Sequence, residues 1–299
     1  SDQYTLVALN PDQGTEYLEY NEGTKIITNS TYFEGSINYK KTLNEKHELS
    51  GMLIGILREL KYANAGNLQS SLPYRNIGLS GRFTYAYDDK YFTEFNFGYN
   101  GSERFAKSER FGFFPSFGLG WYVSNEKFME PISNAITKLK FKGTYGLVGN
   151  DQIGSADDRF FYISQVNLSN GGFGSNFGQE FGTYINGVSI DRYANDKITW
   201  EKASMLNVGL ELGLFGVIDI QADYFTEYRS NILMDRAQIP ASMGLQAPLR
   251  ANVGEASSRG FEFTVDYKDS LSENFFVSAR ANFSFATSKY EVYEELDYR

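Results

Sequence analysis

Between Tyr91 and Glu126, large apolar residues alternate with small or polar ones at a period of two, on both sides of a polar loop. Tyr91, Thr93, Phe95, Phe97 and Tyr99 fall on one face of the first run, and Phe92, Glu94, Asn96, Gly98 and Asn100 on the other. After the loop at 101–109, Phe113, Phe117, Leu119, Trp121 and Val123 share a face, opposed by Ser116, Gly118, Gly120 and Tyr122. Side chains alternate across a strand, so the stretch reads as two strands with one greasy wall and one wet wall. What the whole chain can fold into depends on whether that greasy wall meets a protein core or lipid.

The same alternation recurs on both sides. Strands are expected over 26–43, 48–62, 74–87, 138–147, 204–214, 217–228, 261–267 and 275–285, with 4–9 as the tail of another. The connections alternate too. Those near residues 45, 89, 215 and 271 are short, and those near 65, 105, 175 and 243 are longer. The connection at 124–137 departs from this rule, and 126–137 reads as one short helix. Short turns at one end and long loops at the other are the habit of outer-membrane barrels. The Greek-key connections of a soluble sandwich mix lengths at both ends.

Two further features favour lipid. The strands run longer than the five or six residues usual in soluble sheets. Tyr74, Tyr87, Tyr91, Trp121, Tyr224 and Tyr267 crowd toward strand ends, as interfacial girdles do. The expected fold is all-β, with about ten or eleven strands of a large antiparallel transmembrane β-barrel and long extracellular loops. The greasy wall then lies in lipid, and the 101–109 loop lies outside the cell.

Composition narrows the chemistry. Aromatics make up 16% of the 299 residues, with 29 Gly and 6 Pro, a mixture suited to strands and turns. A mean hydropathy of -0.40 is compatible with a barrel, which is half polar by construction. No apolar run approaches the roughly 20 residues of a membrane helix. The net charge of -9 argues against nucleic acid as a partner. There is no cysteine, and His47 is the one histidine. Disulfides, thiol chemistry, His-rich metal clusters and a His-based triad are therefore out of reach. The Asp88-Asp89 and Asp157-Asp158 neighbours point apart, and the glycine-rich 171–178 segment lacks the Lys-Ser/Thr of a phosphate loop. No catalytic residue, metal or cofactor is expected.

Four segments carry a resemblance to a known family. They are RFGFFPSFGLGW at 110–121, LKFKGTYGLVGND at 139–151, ITWEK at 198–202 with NVGL at 207–210, and NVGE at 252–255 with RGFE at 259–262. In this order they resemble the SusC/RagA-type TonB-dependent outer-membrane transporters of Bacteroidetes, over about two thirds of the chain from Phe83 to Phe285. The resemblance implies a barrel of about 22 strands with a plug inside, of which this chain would be an interior portion. Plug, TonB box and barrel closure are expected to lie elsewhere. It also implies partners: a SusD-like surface lipoprotein capping the barrel, and TonB-ExbB-ExbD. At 98–105, GYNGSERF departs from the family pattern at Tyr99 and Glu103.

The candidate substrate-binding residues lie in the long 149–199 region: Asp157, Arg159, Phe160, Phe161, Tyr162, Phe177 and Tyr184. Aromatics on a glycine-flexed loop stack on sugar rings or hold apolar peptide side chains. The competing expectation is that they pack against neighbouring loops or a partner. A second long loop, 229–258, offers Met234, Ile239, Pro240, Met243 and Leu245 as part of a lipoprotein docking surface. The expected function is TonB-energised import of glycan oligomers or peptides. A porin or structural barrel that never couples to TonB is the alternative.

Overall fold

The computed structural model describes residues 3–7, 20–66, 68–154 and 158–296. Ten strands form one antiparallel sheet: β1 Ile27–Leu43, β2 His47–Ala63, β3 Tyr74–Tyr87, β4 Tyr91–Ser102, β5 Phe111–Tyr122, β6 Ile136–Asn150, then β9 Glu201–Leu214, β10 Ile218–Asp235, β11 Arg250–Ser272 and β12 Phe275–Val292. Between β6 and β9 the chain leaves the sheet to form a separate hairpin, β7 Gln165–Phe177 and β8 Thr183–Arg192.

The pairing register carries the two-faced pattern across the sheet. Phe83 faces Phe95, Phe95 faces Phe117, Phe117 faces Tyr145, and Tyr145 faces Leu206. Among the described residues nothing covers this wall: Phe113, Phe117 and Leu119 are 54%, 58% and 66% exposed. A soluble two-layer protein buries such a face, so this is a wall built for lipid. The opposite face carries ion pairs instead, among them Arg82–Glu94 at 2.7 Å, Lys142–Asp223 at 3.1 Å and Arg280–Asp266 at 2.7 Å. That is the face of a wet lumen.

Three of the four short connections share one geometry. In the turns at 44–45, 88–89 and 215–216, both central residues have positive φ, and the residue after them donates its N–H to the strand end, as in Lys46 to Leu43 and Lys90 to Tyr87. These are type I′ turns, whose twist matches that of paired strands. Asn44 and Asp88 tolerate the left-handed region well, which is how polar residues fix these hairpins.

Four expectations need correction. The short helix expected at 126–137 is of the 3-10 kind and narrower, Lys127–Ile132, preceded by a second 3-10 segment, Val123–Asn125, and an extended Glu126; Pro131 blocks an α-helical turn. The α-helix among the described residues is the single turn Leu68–Ser71, α1. The 149–199 region is not all loop, since it contains the β7–β8 hairpin. The 229–258 loop shrinks to 236–249 because β10 and β11 extend past the wall, with a bulge around Asn231. Residues 3–7 are not a strand; the remainder of the expected 4–9 segment, Ala8 and Leu9, lies outside the described residues.

Candidate ligand-binding surface at the loop end

Apolar burial concentrates at the end of the sheet that carries the long connections. Phe105, Phe114, Ile153, Phe161, Ile198 and Trp200 form the buried cluster, and they come from the 103–110 loop, β5, the 151–200 connection and the residue before β9. Pro115 explains how Phe114 gets there. The β5–β6 ladder ends at Ser116 with Gly146, and Pro115, having no N–H to give, stands just past that last pair. Above it the two strands are unpaired, and Phe114 fills the gap. A Cβ at Gly149 would fall within 2.5 Å of the Phe114 ring, so glycine is required there.

Polar bonds close the cluster. The Trp200 ring lies 5.4 Å from Phe105 and 5.3 Å from Phe114. Its indole N–H donates to the Arg110 carbonyl at 3.2 Å. Asn252 accepts from the Thr199 N–H at 2.9 Å through Oδ1, and its Nδ2 donates to the carbonyls of Thr199 at 3.0 Å and Asn231 at 2.8 Å. All four resemblance segments therefore meet at one place.

The candidate residues separate into two groups. Asp157 lies outside the described residues. Arg159, Phe160 and Phe161 are 2%, 4% and 2% exposed. Arg159 donates from Nη1 to the carbonyls of Gln69 and Leu72, and from Nη2 to Pro73 at 2.9 Å, while lying over the Tyr74 ring. Burial pushes its pKa down, yet an arginine stays protonated at any working pH. This side chain binds the 64–73 loop to the 151–200 connection. Phe160 adopts a left-handed φ of 54°, and Phe161 sits in the cluster. Tyr162 is half-buried, with its hydroxyl donating to the Glu103 carbonyl at 3.4 Å.

Phe177 and Tyr184 behave differently. They face each other's strands near the tip of the β7–β8 hairpin, and each is 52% exposed; Phe173 and Phe181, at 56% and 70%, stand beside them. The hairpin is fastened to the 236–249 loop, because the Ile190 N–H donates to Gln246 Oε1 at 2.7 Å.

Below that joint is a cleft of about 310 Å³ between the 151–200 connection and the 236–249 loop, lined by Phe161, Arg192, Tyr193, Ile198, Ile239 and Arg250 among others. Arg250 pairs with Asp158 at 2.6 Å. Arg192 donates to the carbonyls of Phe160 and Ile163, and burial lowers its pKa. Sequence reasoning missed this cleft, since its walls come from segments some 50 residues apart and no local pattern marks them. Among the described residues, no three His, Cys, Asp or Glu side chains are grouped to hold a metal.

An open antiparallel wall with a lipid face, a charged lumen face and long loops locked together at one end defines a segment of a membrane-spanning β-barrel. Residues 2–298 match the family model described as TonB dependent receptor-like, beta-barrel, and the chain belongs to that family of outer-membrane receptors, which are not enzymes. It is 29% identical over 277 residues to TonB-dependent receptor P3 of Formosa agariphila, covering 90% of this chain and 26% of that protein. It is 31% identical over 212 residues to TonB-dependent receptor SusC of Bacteroides thetaiotaomicron, covering 69% of this chain and 20% of that one. Its fold superposes on the RagAB peptide importer in its closed-closed state with a TM-score of 0.69 at 23% identity, covering 89% of this chain and 30% of that one. The chain thus spans about a quarter of the length of the relatives it matches, such as 26% of P3.

Proposed function

We propose that the whole protein imports glycan oligomers or peptides across the outer membrane in a cycle energised through TonB-ExbB-ExbD, and that this segment supplies barrel wall and outer loops. One observation carries the reading. The buried cluster around Trp200 locks the loops into a platform, from which Phe177 and Tyr184 stand exposed on a braced hairpin. Rigidly held, exposed aromatics suit capture of sugar rings or apolar peptide side chains, because their faces are ordered before the ligand arrives. Arg159, Phe160 and Phe161 then act from beneath, as supports for Tyr162 and the hairpin. Kinship with SusC and with a solved peptide importer supports import as the activity. A SusD-like surface lipoprotein is the proposed partner over the loop end, with Ile239, Pro240, Met243 and Leu245 in its docking surface.

The test is uptake in cells whose own copy of the full-length protein is altered. Phe177→Ser and Tyr184→Ser together should reduce capture of the imported ligand with the amount of folded protein unchanged. Deletion of TonB should abolish accumulation. Accumulation that persists without TonB would turn the reading to a passive porin, and unchanged capture would remove the hairpin from the site.

A further inference from the structure

Lys41 is a charged residue on the greasy wall. It sits opposite Leu49, in the same face as Leu43, His47, Tyr85 and Tyr87, and it is exposed. Charges on this face are of two kinds: Arg75 pairs with Glu59 at 2.7 Å and Lys61 with the same carboxylate, whereas Arg259, opposite Thr226 and Thr287, has no ion pair with a described residue. Lys41 has no ion pair with any described residue. A lysine on a lipid-facing wall is costly unless its stem carries the ammonium to the headgroup interface.

Its position is such an interface. Lys41 lies two residues from the end of β1, about 7 Å along the strand, beside the short-turn end. Across that end the rings of His47, Tyr87, Tyr91 and Trp121 follow one another strand by strand, at centroid spacings of 4.9, 6.4 and 6.4 Å. Such a row marks the headgroup level. From there an apolar groove of about 640 Å³ runs into the wall, lined by Ile37, Leu49, Leu53, Phe83, Phe95 and Leu119 among others. Its floor includes Gly51, where a Cβ would press on the Phe83 ring at 3.3 Å.

We propose that this groove and Lys41 form a site for one anionic phospholipid of the inner leaflet, with an acyl chain in the groove and the phosphate on the Lys41 ammonium. The site rests on the reading that the Lys41 face of the wall meets lipid. Lys40, its neighbour, faces the lumen opposite Ser50 and serves as the control.

Native mass spectrometry of the full-length protein, exchanged into micelles doped with phosphatidylglycerol or phosphatidylethanolamine, counts lipids kept by the intact folded species. The wild type should retain phosphatidylglycerol in preference. Lys41→Gln should weaken that retention about fivefold, Lys41→Arg should preserve it, and Lys40→Gln should leave it unchanged. Equal retention in Lys41→Gln and wild type would overturn the site. Loss in Lys40→Gln instead would overturn the assignment of faces on which it rests.

Discussion

The indole N–H of Trp200 donates to the carbonyl of Arg110 at 3.2 Å, joining residues 90 apart in sequence. The bond links the start of β9 to the start of β5, two strands that do not pair, with β6 between them. Trp200 is 5% exposed, so both its ring and its N–H matter. Trp200→Ala should cost about 3–5 kcal/mol through lost contacts and a cavity. Trp200→Phe, which keeps a ring but not the donor, should cost much less, with about 1 kcal/mol from the hydrogen bond. Denaturant unfolding of the full-length protein in detergent checks the order; equal costs would contradict it.

Asn252 holds both edges of the Thr199 peptide group and the carbonyl at the Asn231 bulge. Asn252→Ala should destabilise by about 2 kcal/mol. Asn252→Asp should be worse although nearly isosteric, since a carboxylate oxygen would then face two carbonyls. Thermal unfolding of both variants reads the difference, and an Asp variant as stable as wild type would show that Nδ2 is not the donor.

Arg159 serves three carbonyls and an aromatic face. A lysine cannot reproduce that planar fork. Arg159→Lys and Arg159→Met should both loosen the 64–73 loop, seen as faster limited proteolysis there while the barrel strands stay resistant. Protection equal to wild type in Arg159→Lys would reduce the side chain to a point charge.

At the opposite end, the Tyr91 hydroxyl at 2.6 Å and then the Trp121 indole at 3.2 Å donate to the Glu126 carboxylate. These bonds hold the Glu126 carboxyl below the ordinary glutamate range, with Tyr91 the larger cause. A carboxyl lowered by folding contributes stability above its unfolded pKa of about 4.3 and loses it as pH falls through the folded value. The thermal midpoint should therefore drop more steeply below about pH 4.3 in wild type than in Glu126→Gln. Parallel curves would mean the carboxylate contributes nothing to the interface row.

Most of the wall was legible in the sequence because its signal is local. Phe95 and Asn96 report their faces by parity alone, and Asn44 and Asp88 announce turns by their chemistry. The loop end was less legible. Phe161 and Phe177 are the same residue type in the same glycine-rich region, yet one is buried and the other exposed, and that difference is set by Trp200 and Ile198 arriving from elsewhere. Pro131 and the Asn231 bulge show the same limit: the short helix at 127–132 takes the 3-10 form because of one proline, and β10 and β11 simply continue where a loop was expected. The segments 110–121 and 198–202 were read as family pattern, and their physical meaning emerged only when Phe114 and Trp200 were found in contact.

The central claim is that one face of this wall meets lipid and the other water. It is tested most directly by placing single cysteines at 93 to 98 along β4, in a cysteine-free background of the full-length protein, and spin-labelling each. Collision rates with oxygen, which partitions into lipid, and with a water-soluble nickel chelate should then alternate with a period of two. Labels at 93, 95 and 97 should be oxygen-accessible, and labels at 94, 96 and 98 nickel-accessible. No alternation, or alternation of the opposite phase, would contradict the account.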